Sequence, residues 1–171
     1  KNTKLKCVKA GDICSFGNMK VEFIRTSHSI ADSVALAIHT PQGTVVHTGD
    51  FKIDYTPIDG QLMDFARFAE LGKKGVLALL SDSTNAERPG FSMSERKVGA
   101  TLDNLFVQNQ TKRIIIATFA SNVHRIQQIV NSAVKYGRKI AVCGRSMINI
   151  ITTSIELGYI KCPENIFIDI D

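Results

Sequence analysis

The stretch VALAIHTPQGTVVHTGD, residues 34–50, decides the fold of the first half of the chain. Two runs rich in β-branched side chains flank a Pro-Gln-Gly turn signal within it. The stretch therefore predicts an antiparallel hairpin. If Thr40 faces Thr44 across the turn, Asp50 lies opposite Val34, where the hairpin ends.

Further elements precede and follow this hairpin. Residues 21–26 are β-branched and aromatic, which predicts a strand. Apolar residues at helical spacing predict a helix over residues 61–71, with Gly72 as its left-handed stop. Residues 76–80 form a continuous apolar run, which predicts a strand buried on both faces. This half of the chain is therefore expected to form a sheet with a helix packed on it.

The second half begins after a change of composition at residues 87–90. We predict one domain over residues 1–90 and a second over residues 91–171. Ser92 and Glu95 have the spacing of a capping box, which predicts the start of a helix. The elements expected beyond it are strand 113–118, helix 123–136, strand 139–142, helix 147–157 and strand 166–168. Such alternation predicts parallel strands with right-handed crossovers and ligands bound beyond their carboxyl ends.

The composition is that of a globular protein. The chain has 171 residues, 44% of them hydrophobic and 22% charged, which allows one or two small domains. No apolar run approaches the ~20 residues of a bilayer span, so no membrane partner is expected. The net charge of +5 favours polyanionic partners such as nucleic acid. Four scattered cysteines indicate reduced thiols and a cytoplasmic location, and a first residue other than methionine suggests a piece of a longer chain.

His28 and Asp50 are candidates for a metal site. His28 follows the strand predicted at residues 21–26 and Asp50 follows the hairpin, so both can reach one edge of the sheet. Imidazole and carboxylate groups are zinc ligands, which lie about 2.0 to 2.2 Å from the metal. The alternative is a hydrogen-bonded histidine beside a turn-forming aspartate, and the spacing leaves both open.

Polar residues also follow the later strands. Asp82 ends an apolar strand, where a carboxylate must be solvated, paired or metal-bound, and capping of the next element is the alternative. Ser121 and Asn122 precede a helix whose free N–H groups can hold a phosphate, unless Asn122 only caps that helix. Arg145 can contact the same anion or remain a solvated surface residue.

Four segments resemble, in order and spacing, the bacterial ribonuclease J family of the metallo-β-lactamase superfamily, β-CASP branch. They are TSHSI at 26–30, HTGDFKID at 47–54, LLSDSTNA at 79–86 and FASN at 119–122. The resemblance covers nearly the whole chain. It implies an α/β protein in which part of a metallo-β-lactamase αββα sandwich precedes part of a Rossmann-like, parallel-sheet β-CASP domain.

The resemblance implies a zinc-dependent ribonuclease that degrades and matures RNA by 5′-to-3′ exonucleolytic and endonucleolytic cleavage. Two zinc ions would activate the hydroxide that hydrolyses the phosphodiester. The full-length protein is expected to be cytoplasmic and to form a homo-oligomer. The family's main metal motif, His-x-His-x-Asp-His, does not occur in these 171 residues. The isolated chain is therefore expected to hold an incomplete metal site and to be inactive.

The resemblance also implies a role for each candidate residue. His28 and Asp50 match metal ligands, with Asp50 bridging the two ions. Asp82 matches an aspartate that orients a histidine outside this chain, and that histidine protonates the leaving oxygen. The RNA-binding residues would be Ser121, Asn122 and Arg145.

Two other functions remain open from the sequence. The chain could be a non-catalytic α/β module that binds a nucleotide or a partner subunit, with His28 and Asp50 in a structural role. A smaller hydrolase of the superfamily acting on thioesters is a weaker alternative, because such enzymes lack the alternating domain that follows Pro89.

Overall fold

The computed structural model describes residues 3–170 and shows a mixed α/β chain that divides into two compact units. The first unit comprises residues 3–28, 32–55 and 61–92. The second comprises residues 29–31, 56–60 and 93–170. Over the described range, no helix is long and apolar enough to cross a membrane.

A five-stranded sheet forms the first unit. In spatial order its strands are β1 (Ile13–Phe16), β2 (Met19–Arg25), β3 (Val34–Thr40), β4 (Gly43–His47) and β5 (Ala78–Leu80). Strands β1 to β4 pair antiparallel with their neighbours, whereas β5 pairs parallel with β4. The predicted hairpin of β3 and β4 is therefore confirmed, and β1 is a strand that the sequence analysis did not predict.

The register of this hairpin differs from the prediction by one residue. Thr40 pairs with Gly43 rather than with Thr44. The Thr40 hydroxyl donates to the Gly43 carbonyl oxygen at 2.8 Å and closes a two-residue turn, one residue shorter than expected. Continued to the end of the hairpin, this register sets Gly49, and not Asp50, opposite Val34.

Helix α1 (Phe65–Lys74) packs on the sheet and completes its apolar core. The buried residues of this core are Ile24, Ala35, Ala37, Val46 and Leu71. The prediction of a helix over residues 61–71 was wrong at both ends. Asp64 caps the start, because its side chain accepts from the Arg67 N–H at 3.0 Å. The helix runs through Gly72 and ends before Gly75, whose φ of 94° supplies the left-handed stop.

A charged cluster ties helix α1 to strands β2 and β3. The Arg67 guanidinium donates to both carboxylate oxygens of Glu22, at 2.6 and 2.8 Å, and to Glu70 Oε2 at 2.6 Å. His39 Nε2 lies 3.1 Å from Glu22 Oε2. These bonds, those from Arg67 first, hold the pKa of Glu22 below its ordinary value although burial opposes the shift.

Strand β5 contradicts the prediction of a strand buried on both faces. It is limited to Ala78–Leu80 and all three of its residues are exposed. The reason lies in its position, because β5 is the edge strand of the sheet and has only β4 beside it. Its apolar run is therefore a poor guide to burial in this structure.

The second unit contains three helices and a small parallel sheet. The helices are α2 (Glu95–Gln108), α3 (Val123–Lys135) and α4 (Arg145–Glu156), and the strands are β6 (Ile140–Ala141) and β7 (Phe167–Ile168). Strands β6 and β7 pair parallel, Ile140 with Phe167, which confirms the predicted parallel arrangement.

Residues 113–118 do not form the strand that was predicted. The segment keeps the alternation of a strand, since Ile114 and Ile116 pack into a core cluster around Phe106 while Ile115 is exposed. However, no described strand pairs with this segment. The apolar alternation follows from packing against a helix, and it did not require a ladder of hydrogen bonds.

The start of helix α2 also differs from the predicted capping box. The N-cap is Ser94, whose Oγ accepts from the Arg96 N–H at 3.2 Å, and not Ser92. Glu95 accepts a bidentate contact from Arg125, with Nη2 to Oε1 at 2.7 Å. This charge-assisted contact connects helices α2 and α3.

Candidate metal centre and strand-end residues

Three strands of the first unit run in the same direction and end at one edge of the sheet. Because β2 and β4 are both antiparallel to β3, and β5 is parallel to β4, their carboxyl ends meet there. His28 follows β2, Asp50 follows β4 and Asp82 follows β5. The topology therefore gathers these three predicted site residues along one edge.

His28 and Asp50 face each other at this edge. The distance from His28 Nε2 to Asp50 Oδ2 is 3.9 Å, with the histidine side chain 31% exposed and the aspartate side chain 78% exposed. Two ligands that each lie about 2.1 Å from one zinc ion can be at most about 4.2 Å apart. The observed spacing is therefore compatible with a shared metal ion.

Backbone hydrogen bonds hold the two ligand loops together. The Lys52 N–H donates to the Ser27 carbonyl oxygen at 2.7 Å, which connects the loop after β4 to the loop after β2. The Thr26 N–H donates to the Ser33 carbonyl oxygen at 3.1 Å and closes the loop that carries His28. The positions of His28 and Asp50 are thus fixed by the main chain on either side of them.

Asp82 is an anion held by several donors. Its Oδ1 accepts from the Thr84 hydroxyl at 2.7 Å and from the Thr84 N–H at 3.0 Å, and its Oδ2 accepts from the Phe51 N–H at 3.4 Å. These bonds, those from Thr84 first, lower the pKa of Asp82, and the nearby charge of His28 acts in the same direction. Asp82 is consequently ionised at neutral pH.

The turn before Asp50 depends on a glycine and a histidine. Gly49 has a φ of 60°, and a Cβ at this position would lie 3.0 Å from the Val34 carbonyl oxygen. The Gly49 N–H donates to Nδ1 of His47 at 3.0 Å. Alternation along the strand indicates only a surface position for His47. The sequence signal for this bond is the His-Thr-Gly-Asp string, in which the glycine follows the histidine by two residues.

The donor set at this edge fits a zinc ion but does not complete its coordination. His28 and Asp50 supply an imidazole nitrogen and a carboxylate oxygen, both of which zinc accepts, whereas a catalytic zinc generally has three protein ligands. Between residues 3 and 170, no group of three or more His, Cys, Asp or Glu side chains is close enough to hold a metal.

The second unit uses its predicted site residues differently. Asn122 is buried and is the N-cap of α3, where its Oδ1 accepts from the Arg125 N–H at 3.0 Å. The Val123 N–H donates to the carbonyl oxygen of the exposed Ser121 at 3.0 Å. The helix-capping alternative is thus observed for Asn122, and two N–H groups of the first turn are engaged within the chain.

Arg145 is exposed and begins helix α4. It follows Gly144, which has a φ of 102° and no side chain with which to cap the helix. A guanidinium at this end of a helix faces the positive end of the helix dipole, which a bound anion would offset.

Comparison with known proteins bears on these residues. A family model described as "Ribonuclease J, beta-CASP domain" matches residues 111–171. Over 167 residues, 97% of its length, the chain is 54% identical to "Ribonuclease J" of Synechocystis sp. and covers 26% of that relative. Nearly the whole chain is therefore similar to part of the ribonuclease J proteins, and residues 111–171 match their β-CASP domain.

Other ribonuclease J relatives show the same similarity. "Ribonuclease J 1" of Streptococcus pyogenes is 54% identical over 91% of the chain, and "Ribonuclease J2" of Bacillus subtilis is 44% identical over 99%. The chain covers 27% and 30% of these two relatives. It therefore spans about a quarter of the length of the curated ribonuclease J proteins that it matches.

A solved structure supports the fold alone. The crystal structure of a protein of unknown function from Enterococcus faecalis V583 matches with a TM-score of 0.69 at 17% identity. The match covers 99% of this chain and 42% of that one.

Among the predicted site residues, the ribonuclease J β-CASP match at 111–171 includes Ser121, Asn122 and Arg145.

Proposed function

We propose that the chain is part of a zinc-dependent ribonuclease that hydrolyses RNA by 5′-to-3′ exonucleolytic and endonucleolytic cleavage. The observation that carries the proposal is the gathering of His28, Asp50 and Asp82 at one sheet edge in a chain 54% identical to a ribonuclease J. Residues 1–90 would be the C-terminal part of the first metallo-β-lactamase segment. Residues 91–171 would be the N-terminal part of the β-CASP domain.

In this proposal His28 and Asp50 would hold zinc, and Asp50 would be a ligand of both ions. Their 3.9 Å separation supports the assignment, and the remaining ligands come from other parts of the longer protein. Two zinc ions, when bound, supply an activated hydroxide and neutralise charge on the phosphate. This chain's contribution is to hold an imidazole and a carboxylate at a fixed spacing, because both loops are anchored by the main chain.

Asp82 acts as an anion that orients a proton donor. Its lowered pKa keeps it ionised, so it can accept an N–H bond from a histidine contributed by the longer protein. That histidine would protonate the leaving oxygen of the RNA. The bonds from Thr84 and Phe51 fix the carboxylate while it does so.

Ser121, Asn122 and Arg145 contact RNA in this proposal. The net charge of +5 supports a polyanionic partner, and the exposed guanidinium of Arg145 at a helix N-terminus supports a phosphate beside it. Asn122 would contribute through the backbone, since its side chain caps the helix.

We place the activity in RNA decay and maturation in the cytoplasm, by a homo-oligomer of the full-length protein. The four cysteines, all within the described residues, are free, which supports a reducing compartment.

A second candidate applies to the 171-residue chain by itself. Within residues 3–170, only two candidate zinc ligands converge at the sheet edge, which favours a non-catalytic module that binds a nucleotide or a partner subunit. The purified chain would then cleave no RNA and would bind zinc weakly, whereas chelator-sensitive cleavage by this chain would rule the candidate out.

The proposal is tested by replacing His28 in the full-length protein. We expect His28→Ala to lower RNA cleavage by more than about 100-fold and to lower zinc content, with little change in RNA binding. His39→Gln is the matched control, because His39 has the same 31% side-chain exposure and is bonded to Glu22 instead of Asp50. Full activity and unchanged zinc content in His28→Ala would contradict the proposal.

A further inference from the structure

Thr48 lies between the last residue of β4 and the turn that carries Asp50, and it is only 5% exposed. Its hydroxyl donates to the Gly49 carbonyl oxygen at 2.7 Å. The Thr48 Oγ1 atom also accepts a hydrogen bond from the Asp82 N–H at 2.9 Å. A single buried hydroxyl therefore bonds both to the turn before Asp50 and to the backbone of Asp82.

These bonds begin where the strand pairing stops. The last residue pair of the β4–β5 ladder is His47 with Leu80, and the Thr48 N–H donates to the Leu80 carbonyl oxygen at 3.0 Å. Beyond that point the two loops are connected by the Thr48 hydroxyl and by the bond from the Phe51 N–H to Asp82. The spacing of the loops is thus set by a few specific hydrogen bonds.

The Thr48 hydroxyl uses both its donor and its acceptor capacity within the chain. A residue of similar shape without the hydroxyl would leave the Asp82 N–H and the Gly49 carbonyl oxygen without this partner. Thr48 is buried and its hydroxyl is bonded within the chain, so Thr48 acts on the site through its neighbours and not by touching metal or RNA.

We infer that Thr48 is a positioning residue that sets the spacing between the metal ligand Asp50 and the orienting carboxylate Asp82. The inference rests on the proposed function, because the metal role of Asp50 belongs to that proposal. Loss of the hydroxyl lets the two loops move apart. Zinc affinity and turnover fall, while the surfaces that bind RNA are unaffected.

The test compares variants of the full-length, zinc-loaded protein. For Thr48→Val we expect zinc affinity and kcat to fall by about 10- to 100-fold, with the KM for RNA unchanged. Thr48→Ser, which keeps the hydroxyl, should restore both. Thr44→Val is the control, because the Thr44 hydroxyl lies on the same strand but is 3.1 Å from His39 Nδ1, away from Asp50 and Asp82.

A second readout needs neither zinc nor activity. In the zinc-free protein, hydrogen exchange of a peptide spanning residues 80–84 should be about fivefold faster at the Asp82 amide in Thr48→Val, and unchanged in Thr44→Val. Thr48→Ala should give the same result, so the measurement does not depend on one variant folding.

The outcomes separate the inference from the proposed function. Wild-type zinc affinity and wild-type exchange in Thr48→Val would overturn the inference, even if the wild-type protein is a zinc ribonuclease. Absence of zinc and of RNA cleavage in the wild-type full-length protein would overturn the proposed function, whatever the exchange data show. Faster exchange together with weaker zinc binding supports both.

Discussion

The two units carry polar residues after their strands or extended segments, but they use them differently. In the first unit, His28, Asp50 and Asp82 lie on loops that are bonded to one another, and the His28 and Asp50 side chains face each other. In the second, Asn122 caps its own helix and Arg145 is exposed at the start of the next one.

This difference shows what a position at the end of a strand does and does not determine. Topology brings such residues to an edge, but local hydrogen bonds decide whether their polar atoms remain usable. Asp50 keeps an exposed carboxylate, whereas the Asn122 side-chain oxygen is engaged by the Arg125 N–H. The first edge is therefore the stronger candidate for chemistry.

The largest effect is expected from a change in the turn before Asp50. Gly49→Ala combines strain at a φ of 60° with a Cβ only 3.0 Å from the Val34 carbonyl oxygen. We expect a loss of about 2 to 4 kcal/mol in the free energy of unfolding, with reduced zinc content. Chemical denaturation and metal analysis measure both.

Gly17→Ala is the matched control for this prediction. Gly17 has the same φ of 60° but no atom within 4 Å of the added Cβ. It should therefore cost only the conformational strain, about 1 kcal/mol, without loss of zinc. Equal losses in the two variants would show that the close approach to Val34 has no role.

An intermediate effect is expected at the start of α3, where capping and RNA binding can be separated. Asn122→Ala removes the cap and should destabilise the protein by about 1 kcal/mol, whereas Asn122→Asp keeps an acceptor for the Arg125 N–H.

Ser121→Glu adds a charge that suits the helix dipole but repels phosphate. It should lower degradation from a 5′-monophosphate end by about tenfold, with zinc content and internal cleavage retained.

Denaturation curves and a labelled RNA assay distinguish the two roles. If Ser121→Glu leaves exonucleolytic and endonucleolytic cleavage unchanged, or lowers both equally, these residues serve the helix alone. The contrast between the two units would then be complete, because the polar residues of the second unit would have no part in binding RNA.

The smallest effect concerns acid stability. Glu22, with a side chain only 10% exposed, and Asp103, with a side chain 32% exposed, both have lowered pKa values, caused first by Arg67 and by Lys135. A carboxylate with a lowered pKa stabilises the fold above its unfolded pKa, and this stabilisation is lost as pH falls through the folded value.

Glu22→Gln should therefore reduce the pH dependence of stability below about pH 4.5 more than Asp103→Asn does below about pH 3.8, because the Glu22 pair is less exposed to solvent. Thermal unfolding between about pH 3 and pH 7 measures this difference. A larger change for Asp103→Asn would show that the ion pair of the second unit contributes more to acid stability than that of the first.

The sequence was sufficient for elements with strong local signals. The hairpin of β3 and β4, helix α3 and the parallel pairing of β6 with β7 were all predicted, because alternation, helical spacing and turn residues indicate them directly. The order of these elements also indicated that residues following β2 and β4 would reach one edge.

The remaining features depend on contacts between distant residues. The register follows from the bond of the Thr40 hydroxyl to Gly43, and the exposure of β5 follows from its edge position. Residues 113–118 alternate like a strand because they pack against a helix cluster. At the site, the bond from the Asp82 N–H to the Thr48 hydroxyl joins residues 34 positions apart, and no local pattern reveals it.

The most direct test of the account is to locate zinc in crystals of the full-length protein by anomalous scattering at the zinc edge. We expect a zinc ion about 2.0 to 2.2 Å from both the His28 imidazole and the Asp50 carboxylate, with Asp82 outside its coordination. An active ribonuclease whose zinc ions contact neither His28 nor Asp50 would contradict the central claim.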